Sequence, residues 1–499
     1  MKNVSRFCCL LVAVCLTGCF PEEHIWWSPK GDRAIVKVDG DKLHLVTADG
    51  ELGEALFEGA SVEDWGVLSL SWLPDGSGFV CSRKRRIRTW EEVKKLIPAD
   101  EAKQVESGLP DIMPTLQGQV MRAKDPGVIE KLSWFLPSNK EPMVEAGIRL
   151  IWEQRPEELR SLFRQLPHGE SILAELEGEN TGFEVRELCW VDLDKSEKNP
   201  TRGFAPSLLE FPIMPRVSPK HHALAYLRFK EGGDDDSATL CVTRMDGGQT
   251  LVVAQQVSSL NYKWMPDGRS LVFTQALGGK GDSVQSIQRV IALQESGQLM
   301  KPTHDKQPDG SLLLIEGADR LAQPKPLALA IMPSRGLQMG TTLEPLPDGR
   351  ILFASQPITL PALAGPELAA NLFLISADGQ SLSTIPTKPG DLPTDLGWFV
   401  LSPDGKSVAI VEGSTDAVAV VELSTGKTEI ISPPHEGWDC QTVPSWKSAV
   451  ELTFAALDPA SKTTQWMLWS AENGTRSISK KWPAAAISQW LAAPKKESP

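Results

Sequence analysis

Few residues in this 499-residue chain have the type and spacing to do chemistry, and most of them stand alone. Cys19 is the most pointed, a thiol nucleophile placed directly after Leu16-Thr17-Gly18. Lys2 and Arg6 give the chain a basic start, and an apolar run from Phe7 to Leu16 follows. That is the layout of a secretory signal, with an apolar run about half as long as a spanning helix needs and small residues that suit a peptidase. His221-His222 and the carboxylates Asp234, Asp235 and Asp236 have metal-binding chemistry, but both groups fall where a turn is expected and read as solvated turns. His435-Glu436 lacks the second histidine of a metallopeptidase helix. Ser424-Thr425-Gly426-Lys427-Thr428 ends like a phosphate loop, but Val421 stands where its first glycine must be, so it reads as a hairpin turn. There is no Gly-x-Ser-x-Gly elbow, and no Gly-x-Gly-x-x-Gly follows a strand. No catalytic residue, metal set or cofactor is expected from these motifs.

Cys81, Cys189, Cys241 and Cys440 remain once the signal is removed and Cys19 is set aside. They are widely spaced with no CxxC pair, which argues against zinc. In an oxidising compartment they could form up to two disulfides. The formal charge of −13 becomes −15 without Lys2 and Arg6, and so acidic a body does not suit nucleic acid. No later segment has 18 consecutive apolar residues, so nothing after the signal is expected to cross a bilayer.

The elements that would position any site come from an internal repeat. Its copies centre on Pro29, on Pro74-Asp75-Gly76, on Pro219, on Pro266-Asp267-Gly268, on Pro347-Asp348-Gly349 and on Pro403-Asp404-Gly405, with a worn copy at Pro444. In each, an apolar strand end runs into a turn. Proline presets φ, aspartate bonds to nearby amides, and glycine takes positive φ. A β-rich run follows, and often a second hairpin, as at Ala48-Asp49-Gly50 and Ala377-Asp378-Gly379. Two hairpins make a four-stranded propeller blade. The proline spacings are 45, 145, 47, 81, 56 and 41 residues, so four gaps fit one blade and two carry insertions. The expectation is an all-β propeller of seven four-stranded blades over 19–84 and 181–482. Eight blades are the first alternative, with a degenerate copy at Gln307-Pro308-Asp309-Gly310, and six the second. Trp27, Trp72, Trp264, Trp398 and Trp446 fall near inner-strand positions, where large rings fill the gaps between blades.

These copies resemble the Trp-x-Pro-Asp-Gly repeats of TolB-like β-propellers, and more loosely those of WD-repeat propellers. Leu16-Thr17-Gly18-Cys19 closely resembles the lipobox of bacterial lipoproteins. That resemblance implies a signal peptide over 1–18, cleavage between Gly18 and Cys19, a diacylglyceryl thioether on Cys19, and acylation of the new amine, as with palmitate. Two or three acyl chains would then hold the protein on a lipid bilayer. Phe20 rather than aspartate follows the cysteine, which by the sorting rule of enteric-type bacteria favours the outer membrane facing the periplasm. The inner membrane and the cell surface are the alternatives.

Between 85 and 180 the period changes from strand to helix. Thr89 with Glu92 looks like a capping box, and Pro156-Glu157-Glu158 opens a helix whose apolar stripe is Leu159, Leu162, Phe163 and Leu166. Further helices are expected over 127–135, 141–153 and 169–177. The insertion should interrupt blade 2 between its second and third strands, which makes Cys81 and Cys189 neighbours and a possible disulfide; two buried free thiols are the other reading. The run Arg83-Lys84-Arg85-Arg86-Ile87-Arg88 reads as a solvated neck, or as a contact for anionic lipid or an acidic partner. The tail, 483–499, should be frayed.

The expected function is a membrane-anchored envelope lipoprotein whose propeller binds or scaffolds a protein partner. Two alternatives remain: a hydrolase or lyase with its site in the central channel, and a small-molecule or sugar-binding sensor.

Overall fold

A computed structural model describes residues 24–482 except 39–41, 57–60, 63–69, 123–141, 167–168, 179–181, 195–199, 231–237, 258–261, 277–284, 305–330, 333–342, 358–370, 380–381, 387–395, 413–416, 432–438, 441–442, 459–462 and 480–481. The signal and Cys19, the helix expected over 127–135, residues 234–236, 307–310 and 435–436, and the tail lie outside the described residues.

The strands form seven antiparallel four-stranded blades. Blade 1 runs outward through Ile25–Trp27, Arg33–Val38, Lys42–Thr47 and Leu52–Ala55. Blade 2 has a split inner strand, Ser61–Val62 and Leu70–Trp72, then Gly78–Ile87, Phe183–Asp192 and Pro200–Ser207. Blades 3 to 7 occupy 210–257, 263–304, 331–384, 396–430 and 439–477.

The repeat turns supply the hairpins between first and second strands. Gly31, Gly76, Gly268, Gly349 and Gly405 all have φ between +67° and +87°, where a side chain would be strained. Asp267 accepts from the amides of Arg269 and Ser270 at 2.8 and 2.9 Å and from the Ser270 hydroxyl at 2.6 Å. Asp75 accepts from the Ser77 amide (2.9 Å), Asp348 from the Arg350 amide (3.1 Å) and Asp404 from the Lys406 amide (3.1 Å). In blade 3, Pro219 leads a turn whose Ser218 hydroxyl donates to Gly268 O at 2.7 Å, tying one turn to the next. The worn copy is offset from the reading at Pro444. Trp446 ends the inner strand Ser445–Trp446, and the turn that follows is formed by 447–450. Pro444 precedes that strand.

The tryptophans staple the inner strands together. Trp72 Nε1 donates to Trp26 O (3.0 Å), Trp264 Nε1 to Arg216 O (2.8 Å) and Trp446 Nε1 to Val400 O (3.1 Å). Each indole N–H satisfies a carbonyl on the preceding blade while its rings fill the wedge between them. Trp398 lies on the inner strand of blade 6, Leu396–Leu401.

All four strands of blade 1, and all four of blade 7, come from contiguous sequence, so no strand is shared across the seam between them. The ring is closed by side chains instead. Ile25, Trp27, Ala34 and Val46 pack with Ala455, Trp466 and Trp482. Trp27 Nε1 donates to Thr453 Oγ1 at 2.9 Å, and Trp482 Nε1 to Gly50 O at 2.7 Å.

Blade 2 carries the helical lobe between its second and third strands. The second strand continues to Ile87, a few residues beyond the expected limit, and Ile87 pairs directly with Phe183. The lobe contains α1 (Trp90–Lys94), α2 (Ala99–Arg122), α3 (Pro142–Gln154), α4 (Pro156–Phe163) and α5 (Gly169–Glu177). Thr89 caps α1 by accepting from the Glu92 amide, and Pro156 opens α4. One apolar cluster (Trp90, Val93, Val105, Leu150, Phe183, Val185, Leu208, Leu209) seats the lobe on blade 2, and another forms its own core around Ile151, Leu159 and Phe163.

The topology fixes which face bears the lobe. In blade 1, Ile25 pairs with Val36 and Trp27 with Ala34, so the inner strand begins beside the end of the second strand. Inner strands therefore start on the face where second strands hand over to third strands, and the lobe is such a connection. The Pro-Asp-Gly turns occupy the opposite face.

Candidate functional site

Two regions have the geometry to act: the central channel and the lobe. In the channel, Arg216, Lys263 and Glu344 occupy one register in three consecutive blades, each just before the position that bears tryptophan in the repeat. A bulge between Ile213 and Arg216, with Met214 at φ +55°, breaks the regular pairing of the inner strand just before Arg216. Arg216 Nη1 donates to Pro215 O (2.9 Å) and to Leu70 O (3.4 Å) on blade 2. It lies within electrostatic reach of His24 on blade 1, and of Tyr262 and Glu344 on blades 4 and 5. A group that feels four other blades lies at the axis. Desolvation lowers its pKa from the ordinary arginine value.

Its neighbours have partners in each other or in the backbone. Lys263 Nζ pairs with Glu344 Oε1 at 3.0 Å. Tyr262 donates its hydroxyl proton to Met214 O at 2.5 Å, and burial raises its pKa well above the usual phenol range. His24 is 2% exposed. Burial first, then the positive charge of Arg216, pushes its pKa down to about 3, against a hydrogen bond to the backbone of Val443. Its imidazole is thus neutral at physiological pH, edge-on to Trp26 at 4.8 Å. Among the described residues no cluster of three His, Cys, Asp or Glu could hold a metal.

The base of the lobe is ionic. Glu187, 2% exposed, accepts from Arg83 Nε (2.6 Å) and from Arg85 Nη2 (3.1 Å), with Arg85 Nε in ion-pair contact at 2.8 Å. Arg83 and Arg85 belong to the run that reads as a neck, but that run is paired strand. Glu101 on α2 reaches the link between blades 2 and 3, accepting from the amides of Leu208 (2.5 Å) and Leu209 (2.6 Å) and the Ser207 hydroxyl (3.0 Å). Burial nevertheless raises its pKa. On the outer side of the lobe, Met113, Gln117, Glu157, Glu158, Leu162 and Gln165 line an open groove of about 810 Å³ between α2 and α4.

Cys81 and Cys189 are direct cross-strand partners with their sulfurs 3.4 Å apart, unbonded and fully buried. Their mutual hydrogen bond, then burial, hold the Cys81 thiol well above the usual range. Cys241 is buried in the apolar cluster between blades 2 and 3, its thiol pushed up to about 11 by desolvation. His222 packs edge-on to Trp190 at 5.9 Å, within electrostatic reach of Asp246. The Ser424 and Thr425 hydroxyls donate to Glu422 in a hairpin turn whose Gly426 has φ +70°. Sequence reasoning missed His24, Glu101, Glu187, Arg216, Tyr262, Lys263 and Glu344. The signal available for three of them was the charged residue one place before the repeat's tryptophan position.

No family model matches the chain, and no curated protein matches it. Among solved structures, it is similar to the Cps50 (Swd1) β-propeller domain of Myceliophteria thermophila (11% identity, 90% of this chain and 96% of that one, TM-score 0.40). It is similar to the β-propeller domain of the Trilobed protease from Pyrococcus furiosus (9%, 60% and 76%, TM-score 0.37). It is also similar to an oligogalacturonate lyase from Vibrio parahaemolyticus (8%, 87% and 86%, TM-score 0.43). The chain is an all-β, seven-bladed propeller with a helical lobe in blade 2.

Proposed function

We propose that this protein is an envelope lipoprotein, anchored through acylated Cys19, whose propeller and lobe bind a protein partner. The observation that carries the reading is a contrast. In the channel Lys263 is paired with Glu344, Arg216 and Tyr262 donate to backbone carbonyls, and His24 is held neutral by burial. The lobe is docked firmly on blade 2 yet offers an open groove with Met113 and Leu162 beneath a polar rim. A rigid platform with an apolar floor and polar rim suits a protein segment better than a reaction. Function on a propeller lives in such loops and insertions, not in the fold.

The test is crosslinking capture from native membranes, with the intact protein and with a form in which Asn-Gly joins Ile87 to Phe183 in place of the lobe. That junction suits a two-residue hairpin because the two residues are already cross-strand partners. Proteins captured by the intact chain should be lost without the lobe; an unchanged set contradicts the reading. Palmitate incorporation into the intact protein and into Cys19→Ala tests the anchor separately.

One observation favours a second reading, a channel-centred hydrolase or lyase. His24, Arg216, Tyr262, Lys263 and Glu344 converge from four blades. On that reading Glu344→Gln abolishes turnover of the substrate; on ours it leaves partner capture intact.

A further inference from the structure

The described chain enters the ring on the same face as the helical lobe. His24 directly precedes the inner strand of blade 1, on the face where second strands hand over to third strands. The lobe leaves blade 2 from the end of its second strand, beyond the Ile87–Phe183 pair, on that same face. Glu101 of α2 grips the amides of Leu208 and Leu209, in the link that delivers the chain to the inner strand of blade 3. The Pro-Asp-Gly turns lie on the far side.

The tether is short. Four residues, and so five Cα-to-Cα steps, separate Cys19 from His24, and a fully extended chain gains at most about 3.6 Å per step. The channel mouth can therefore stand no more than about 18 Å from the acylated cysteine. One helix with its side chains is already about 10–12 Å thick, and the lobe stacks several around its own core. A bilayer that close to the mouth cannot avoid the lobe.

Resting on the anchored reading above, we infer that the lobe is the membrane-facing surface of the protein, lying against the lipid headgroups, with the Pro-Asp-Gly face turned away. Leu96 is an exposed apolar side chain just after α1, next to exposed Lys95, with exposed Lys103 on α2 and Arg88 before α1. Exposed Glu91, Glu92 and Asp100 share this stretch, so its charges are mixed, and the headgroup contact is carried by the shared face and the short tether.

The experiment uses the full-length acylated protein, carrying Cys440→Ser, in vesicles of phosphatidylethanolamine and phosphatidylglycerol. A fluorophore is placed at Lys95→Cys or Lys103→Cys on the lobe, or at Lys220→Cys or Lys406→Cys on the turn face. Quenching by headgroup-spin-labelled lipid is then measured, with acylation of each preparation checked by mass. The inference expects at least a twofold loss of fluorescence at one or more lobe positions and none at the turn positions. Acylated protein with no quenching on the lobe, or with stronger quenching on the turn face, overturns the orientation alone. Absence of acyl chains at Cys19 overturns the anchored reading and this inference with it.

Discussion

His24 makes the stability of the ring depend on pH between the imidazole's unfolded and folded pKa values. The imidazole is buried at the seam between blades 1 and 7, bonded to the backbone of Val443. Its pKa is about 3 in the folded protein, against about 6.5 in an unfolded chain. The unfolded state therefore binds a proton that the folded state refuses throughout the interval between those values. A depressed folded pKa means that stability is complete above about pH 6.5 and falls as pH drops toward 3. Each pH unit inside the window costs about 1.4 kcal/mol, and the step from pH 7 to pH 5 costs about 2 kcal/mol. His24→Gln keeps a neutral donor near Val443 but cannot titrate. Urea unfolding of both proteins at pH 7 and pH 5 isolates the effect, because contributions from other groups cancel in the difference. The wild type should lose about 2 kcal/mol more than the variant. If the two lose stability in parallel, the imidazole is neither buried nor neutral, and the account of the seam is wrong.

Other expectations follow from single contacts. Glu187→Ala strands Arg83 and Arg85 beside a vacated site, and should destabilise the protein by about 3 kcal/mol in thermal or urea denaturation; a loss under 1 kcal/mol would show those arginines to be solvated. Glu101→Ala removes the acceptor for Leu208, Leu209 and Ser207. Hydrogen exchange in α2 should accelerate tenfold or more, about 1.4 kcal/mol, while blades 4 to 6 stay unchanged. Trp482→Ala empties the far end of the seam. It should cost about 3 kcal/mol or more and open blades 1 and 7 to exchange before blade 4; uniform exchange across the ring would contradict a seam closed by side chains.

The repeat was legible because its physics is local. Asp267 and Gly268 make a turn with groups two and three residues away, so the type and order of five residues suffice. Thr89 and Pro156 announced helix starts for the same reason. The worn copy misled because blade 7 lost proline, aspartate and glycine from its turn at 447–450, while an unrelated proline, Pro444, stood nearby. The basic run was hard to read as strand, since its charges are balanced by Glu187 and Glu184 from a segment about a hundred residues later. The channel was least legible of all. Arg216, Lys263 and Glu344 look like ordinary strand polar residues until seven inner strands converge.

The most direct test of the binding account is photocrosslinking from the groove itself. A photoreactive amino acid at Gln117, on the groove rim, is compared with one at Lys406 on the turn face, in intact cells. The account predicts a discrete protein adduct from Gln117 that disappears with Glu157→Lys and Glu158→Lys combined, and none from Lys406. No adduct from Gln117, or the same adduct from both positions, would contradict it.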